Sequence, residues 1–123
     1  MSYLKQAQDF QNMMNEQGSM EAFEKYYAEN CTVIEMPTGV KRVGKDAQRQ
    51  AIIEWFGTVE EMHGGGVNSI TSDEENGITT IESWFEMTMK GGHRVKMQEV
   101  GIQKWQGEQI VEEKFYYLSL IHI

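Results

Sequence analysis

Cysteine is almost missing from this chain: Cys31 stands alone among 123 residues, which leaves no intrachain disulfide partner and agrees with a reducing compartment. Its neighbours Glu29, Asn30 and Thr32 supply neither base nor cation to activate a thiolate, so a half-buried structural thiol is expected rather than a nucleophile. Proline is equally scarce, Pro37 being the single one. No apolar run approaches the ~20 residues of a membrane span. The opening Met1-Ser2-Tyr3-Leu4-Lys5-Gln6 has neither the basic flank nor the apolar core of a signal peptide. A cytoplasmic location and no membrane partner are expected. Basic residues are outnumbered, 11 Lys plus Arg against 19 Asp plus Glu, and the net charge of -8 repels a phosphate backbone. Nucleic acid is therefore not an expected partner. His63, His93 and His122 are scattered, with no His-x-x-x-His or Cys-x-x-Cys pair, and nothing resembles a dinucleotide motif. Neither a metal nor another cofactor is expected.

What is present is globular. With 40% hydrophobic and 11% aromatic residues, the chain has enough apolar surface to offset chain entropy. Its length suits one domain, residues 1 to 123, burying roughly two thirds of its unfolded surface. Tyr3, Ala7, Phe10 and Met14 recur at helical spacing and predict an amphipathic helix over residues 3 to 17, ended by Gly18. Ser19 is the expected N-cap of a second helix carrying Met20, Phe23 and Tyr27, with Ala22, Tyr26 and Cys31 close by. Residues 32 to 36 read as a strand stopped by Pro37-Thr38-Gly39. Gly44-Lys45-Asp46 then introduces a third helix, with Asp46 as cap and Ile52, Trp55, Phe56, Val59 and Met62 on its apolar face. His63 and Gly64-Gly65-Gly66 are expected to end it as a flexible connection.

The remainder reads as a four-stranded antiparallel meander: residues 67 to 75, 78 to 90, 93 to 105 and 109 to 118. Asn76-Gly77, Gly91-Gly92 and Gln106-Gly107 are the expected turns. Two-residue turns would fix the register. One face would then align Ser72, Ile81, Ile102 and Val111; Ile70, Ser83, Val100 and Glu113; Asn68, Phe85, Gln98 and Phe115; and Met87, Lys96 and Tyr117. The other face would carry Trp84, Met97, Glu99, Lys114 and Tyr116. Helices covering the first face would enclose Asn68, Gln98 and Glu113. A carboxylate costs several kcal/mol to bury unpaired, so a pocket is expected there.

Three stretches carry a resemblance. Phe23 to Pro37 resembles the second helix and first strand of the nuclear transport factor 2-like superfamily, in particular its SnoaL-like and ketosteroid-isomerase-like members. Val43-Gly44-Lys45-Asp46-Ala47 is similar to that family's entry into its third helix, and Gly107 to Tyr117 to its last strand. The resemblance implies an α+β fold, a cone-shaped curved mixed sheet covered by three N-terminal helices. It also implies a homodimer packed through the outer sheet face, here Trp84, Met97 and Tyr116. By the same resemblance the isomerases' base position falls on Met36 and their tyrosine on Gln11. Their oxyanion-binding aspartate falls on Val100, Gly101 or Glu99. Steroid isomerisation by that route is therefore not expected, although Glu35 lies one residue from the base position.

The functional expectation is a small apolar or amphipathic molecule bound in the cone. Glu113 would be the acid-base group of a cyclase, isomerase, dehydratase or hydrolase, and His63 its proton partner. Tyr27, Met36, Phe56 and Asn68 are expected to line the pocket, together with Phe85, Gln98, Val100, Phe115 and Tyr117. The alternative is a ligand-binding or dimerisation module without catalysis.

Overall fold

A computed structural model of the chain describes residues 2–118 and the backbone of residues 121–122; the side chain of His122 lies outside the described residues. Helix α1 spans Tyr3–Glu16, capped by Ser2, whose hydroxyl oxygen accepts from the Lys5 N–H at 3.1 Å. Ala7 and Phe10 are buried on its inner face, as the spacing predicts. Helix α2 spans Ser19–Tyr26. Gly18 rather than Ser19 occupies the N-cap, and Ser19 is the first helical residue without a capping side-chain bond. The helix is shorter than expected because Tyr27 turns into the extended conformation and opens strand β1, Tyr27–Glu35. Tyr27 and Cys31 thus reach the core from a strand.

A turn over residues 36 to 39 leads back into β2, Val40–Val43, a short strand that the sequence reading missed. Helix α3 is Lys45–Gly57, with Gly44 at the N-cap and Asp46 in the first turn, paired with Arg49, instead of capping. It stops before Val59 and Met62. The Thr58 hydroxyl and N–H both donate to the Trp55 carbonyl, at 2.6 and 3.0 Å, and close the last turn. Val59, Met62, His63 and the three glycines belong instead to the long strand β3, Val59–Asp73. The glycines are not a flexible connection. A Cβ on Gly66 would lie 2.8 Å from Trp84 Nε1, so a residue without a side chain is what lets the strand approach its neighbour.

Strands β4 (Ile78–Met89), β5 (Arg94–Gln106) and β6 (Gln109–Tyr117) complete a sheet ordered β2-β1-β6-β5-β4-β3. β1 and β6 are parallel and the other neighbours antiparallel. A short β7, Ile121–His122, pairs with Val95 and Lys96 beyond the end of β6. Three helices on a curled mixed sheet make the α+β fold that the resemblance implied. Phe10, Phe23, Tyr26, Tyr27 and Trp105 form its centre, with Trp105 edge-on to Tyr26 at 5.5 Å. No helix among the described residues is long and apolar enough to cross a membrane.

The register differs from the two-residue-turn expectation. β3 and β4 join through a four-residue loop, Glu74 to Gly77, because the Asp73 carboxylate accepts from Asn76 N and Nδ2 and widens the turn. Between β4 and β5 the pairing slips by one residue: Ser83 faces Glu99, not Val100. One residue turns a strand over. Met97, Glu99, Gly101 and Gln103 therefore point inward, while Lys96, Gln98, Val100 and Ile102 take the opposite face. Between β5 and β6 the displacement is three residues, with a bulge at Lys104/Trp105, so that Gln103 rather than Val100 faces Glu113. Two odd displacements cancel, and β6 keeps its expected face. The outer row retains Trp84 and Tyr116 and loses Met97, which is buried. Lys114 lies opposite Ile102 instead of Glu99.

Candidate active site

Between the helices and the inner sheet face lies a cavity of about 750 Å³. Its walls are aromatic, with Phe10 from α1, Phe23 from α2, Trp55 from α3, and Phe85 and Phe115 from the sheet. Trp55 stands edge-on to Phe85 at 5.6 Å, which seats the second half of α3 over β4.

Glu113 forms the floor and is 1% exposed. Its row across the sheet is Thr79, Gln103 and Glu113, three buried polar residues in continuous contact. Trp105 Nε1 donates to Thr79 Oγ1 at 2.8 Å, and Thr79 Oγ1 bonds Gln103 Oε1 at 2.9 Å. Gln103 Nε2 donates to Glu113 Oε2 at 2.7 Å, and the Tyr27 hydroxyl donates to Glu113 Oε1. Burial nevertheless pushes the Glu113 carboxyl up to about 8, because the charged form loses its water and gains only neutral partners. Gln103 Nε2 can only donate, whereas the Tyr27 hydroxyl accepts as readily as it donates, so a proton on Glu113 is held either toward Tyr27 or toward the cavity that both residues line.

Gly101 makes this arrangement possible. A Cβ there would lie 2.9 Å from Gln103 Nε2 and 3.6 Å from Glu113 Oε2. Gly101→Ala is expected to push Gln103 off the carboxyl and cost about 1–3 kcal/mol; urea unfolding checks it, and an unchanged midpoint would mean that Gln103 moves freely.

A second polar group lies at the other end of the inner face. Glu35 ends β1 and points into the cavity, where Arg42 Nη2 donates to its Oε2 at 3.0 Å and the Tyr117 hydroxyl to its Oε1 at 3.0 Å. Arg42 Nε also donates to Gln48 Oε1 at 2.6 Å, tying α3 to the sheet. Glu99 stands beside them, pushed up to about 7 by burial and then by the charge of Glu35.

Of the residues singled out from the sequence, Tyr27, Phe56, Phe85, Phe115, Glu113 and His63 line this cavity. Met36, Asn68, Gln98, Val100 and Tyr117 do not; they line a second, open hollow of about 690 Å³ against the Glu82–Val100–Tyr116 row, which shares Ser83 and Glu99 with the cavity. For Gln98 and Val100 the cause is the turned-over β5. Asn68 sits on a bulge of β3 between Val67 and Ser69, and Met36 lies past the end of β1. Tyr117 keeps the inner side of β6 but is drawn to Glu35 at the mouth. His63 is exposed at the rim, its Nε2 2.6 Å from Thr88 Oγ1. His63 thus lies at the exposed rim and Glu113 at the buried floor of the same cavity, and no hydrogen bond among the described residues joins them. Gln103 and Arg42 were missed, and Glu99 and Gly101 were named at the isomerases' aspartate position but not as cavity residues. The signal for Gln103 was that Thr79, Gln103 and Glu113 match as polar partners once β5 shifts by one residue. Among the described residues no group of three or more His, Cys, Asp or Glu is placed to hold a metal ion. Cys31 is buried, and burial pushes its thiol up, which keeps it unreactive.

The family model of the SnoaL-like domain matches residues 1–117. The chain belongs to the SnoaL-like domain family. It is 31% identical to a Mesorhizobium loti protein whose description names both a SnoaL-like polyketide cyclase and a carbohydrate phosphatase, with a TM-score of 0.83 over 95% of this chain and 100% of that one. An LEH-like epoxide hydrolase from M. tuberculosis superposes with a TM-score of 0.72 at 11% identity, over 94% of this chain and 82% of that one. A nuclear transport factor 2-like protein from Burkholderia xenovorans does so with 0.70 at 15%, over 94% and 82%. These last two show the shared fold. No match is found among the curated proteins.

Proposed function

We propose that this SnoaL-like domain is an acid-base enzyme acting on a small, mostly apolar molecule held in the cavity, with Glu113 as the group that donates the proton. The observation that carries the reading is a buried carboxyl at the floor of an aromatic-walled hollow, held by Tyr27 and Gln103 and pushed up to about 8. Such a group is mostly protonated at neutral pH, as a general acid requires. The polyketide cyclase and epoxide hydrolase descriptions of the relatives name reactions on small organic molecules, in which an oxygen gains a proton as a ring closes or opens.

Small epoxides and enolisable ketones, followed by mass spectrometry of hydrated or rearranged products, test the reading. Glu113→Gln is expected to lower turnover by about 100-fold or more while leaving binding nearly intact, and wild-type turnover is expected to decline as pH rises through about 8. Equal turnover by the variant would remove Glu113 from the reaction. A second reading, ligand binding without chemistry, is favoured by one observation: Met36 and Gln11, at the isomerase base and tyrosine positions, carry no ionisable group. Under it no product accumulates although the ligand binds.

A further inference from the structure

The three carboxyls of the cavity are not equally compensated. Glu35 is paired with Arg42. Glu113 is bonded by two neutral groups. Glu99 lines the cavity and, among the described residues, makes no hydrogen bond or ion pair. The charge beside it is Glu35 from β1, Ser83 and Tyr117 face it from the flanking strands, and none of them donates to it. Arg42 is the one Lys or Arg among the described lining residues, and its charge is taken by Glu35. Lys45 and Arg49 approach the Phe23 ring, at 5.6 and 5.7 Å, but are paired with Glu24.

A mostly buried carboxyl wants a counter-charge, and the faces of aromatic rings attract cations in the same way. An anionic ligand would meet carboxyls and negative ring faces together. A neutral ligand would offer Glu99 a hydrogen bond at most and no counter-charge. We infer that the molecule held in this cavity is an amine, protonated at neutral pH, whose ammonium sits on the Glu99 carboxylate while its apolar body extends over Gly101 and Phe115 toward Glu113. Glu99 and Glu113 point to the same side of adjacent strands, with the Gly101–Phe115 row between them. Glu99 thus selects the substrate and Glu113 keeps its proton for the reaction. The inference rests on the proposal that the cavity binds a small molecule and adds the sign of that molecule's charge.

Calorimetric titration of the whole protein at pH 7 with 3-phenylpropylamine, 3-phenylpropanol and 3-phenylpropanoate separates the two. These share one body and differ in charge. The amine is expected to bind at least about tenfold tighter than the alcohol, with the carboxylate weakest. Only amine binding is expected to release protons, read as a dependence of the heat on the buffer's ionisation enthalpy. Glu99→Gln removes no hydrogen bond within the protein and is expected to bring the amine down to the affinity of the alcohol. Alcohol or carboxylate binding as tightly as amine, or a Glu99→Gln variant that keeps the preference, would overturn the amine assignment and leave the binding cavity standing. Failure of all three compounds to bind would count against the cavity reading as well.

Discussion

Glu113→Gln is expected to remove most of the pH dependence of stability between pH 4.5 and 8. The carboxyl titrates near 4.5 in the unfolded chain and at about 8 in the folded one, so between these values the folded protein holds a proton that the unfolded chain releases. Its contribution is complete below pH 4.5 and is lost as pH rises through 8, at about 1.4 kcal/mol for each pH unit over which the two states differ. Glu99, at about 7, acts in the same direction over a narrower window. Asp9 and Glu24 act oppositely. A hydrogen bond from Tyr26 holds Asp9, and one from Arg49 holds Glu24, below the usual carboxylate range, so both weaken the fold as pH falls. The wild type is therefore expected to be most stable near pH 5 and weaker at 8.5, while the variant keeps only the smaller loss that Glu99 causes, which is complete by about pH 7. Urea midpoints of both proteins at pH 5, 7 and 8.5 check this; equal midpoints for the wild type at all three would contradict it.

Phe23→Ala is expected to cost about 3–5 kcal/mol, the range for emptying a buried aromatic site. Phe23 is 1% exposed and stacks 4.8 Å from Tyr27, which also contacts Phe10 at 6.0 Å. Its loss therefore damages more than packing. Tyr27 would lose the wall that fixes its ring, and the hydroxyl on Glu113 would loosen with it. A domain of ordinary stability, about 5–15 kcal/mol, would keep little margin. Thermal and urea unfolding measure the effect. A cost under about 1 kcal/mol would mean that the core is not organised around α2.

Much of the scaffold was legible because it rests on periodicity and turn chemistry. The Tyr3, Ala7, Phe10 and Met14 spacing gave α1, and the glycine-bearing turns separated the four long strands. The end of α3 was not legible. Val59 and Met62 continue the helical period of Ile52 and Phe56, and only their pairing with Met89 and Met87 of β4 shows that this segment is a strand. Val40–Val43 was missed because four residues with two central charges carry no period. The site was half legible. Glu113 was read as inward-facing and is buried, but its partners were not, since they depend on a turn length at Lys90 to His93 that Gly91-Gly92 alone does not fix. A single-residue slip exchanged Gln98 and Val100 for Glu99, Gly101 and Gln103. The polar row of Thr79, Gln103 and Glu113 favours that slip together with the three-residue displacement between β5 and β6, because the expected register places Glu113 against Val100 without a donor.

Everything functional depends on one protonation state, and carbon-13 NMR of the glutamate side-chain carboxyls, with Glu113→Gln to assign the resonance, reports it directly. A Glu113 midpoint near 8, with the neutral form dominant at pH 7, is the expected result. A midpoint near ~4.3, that of a free glutamate, would contradict the account.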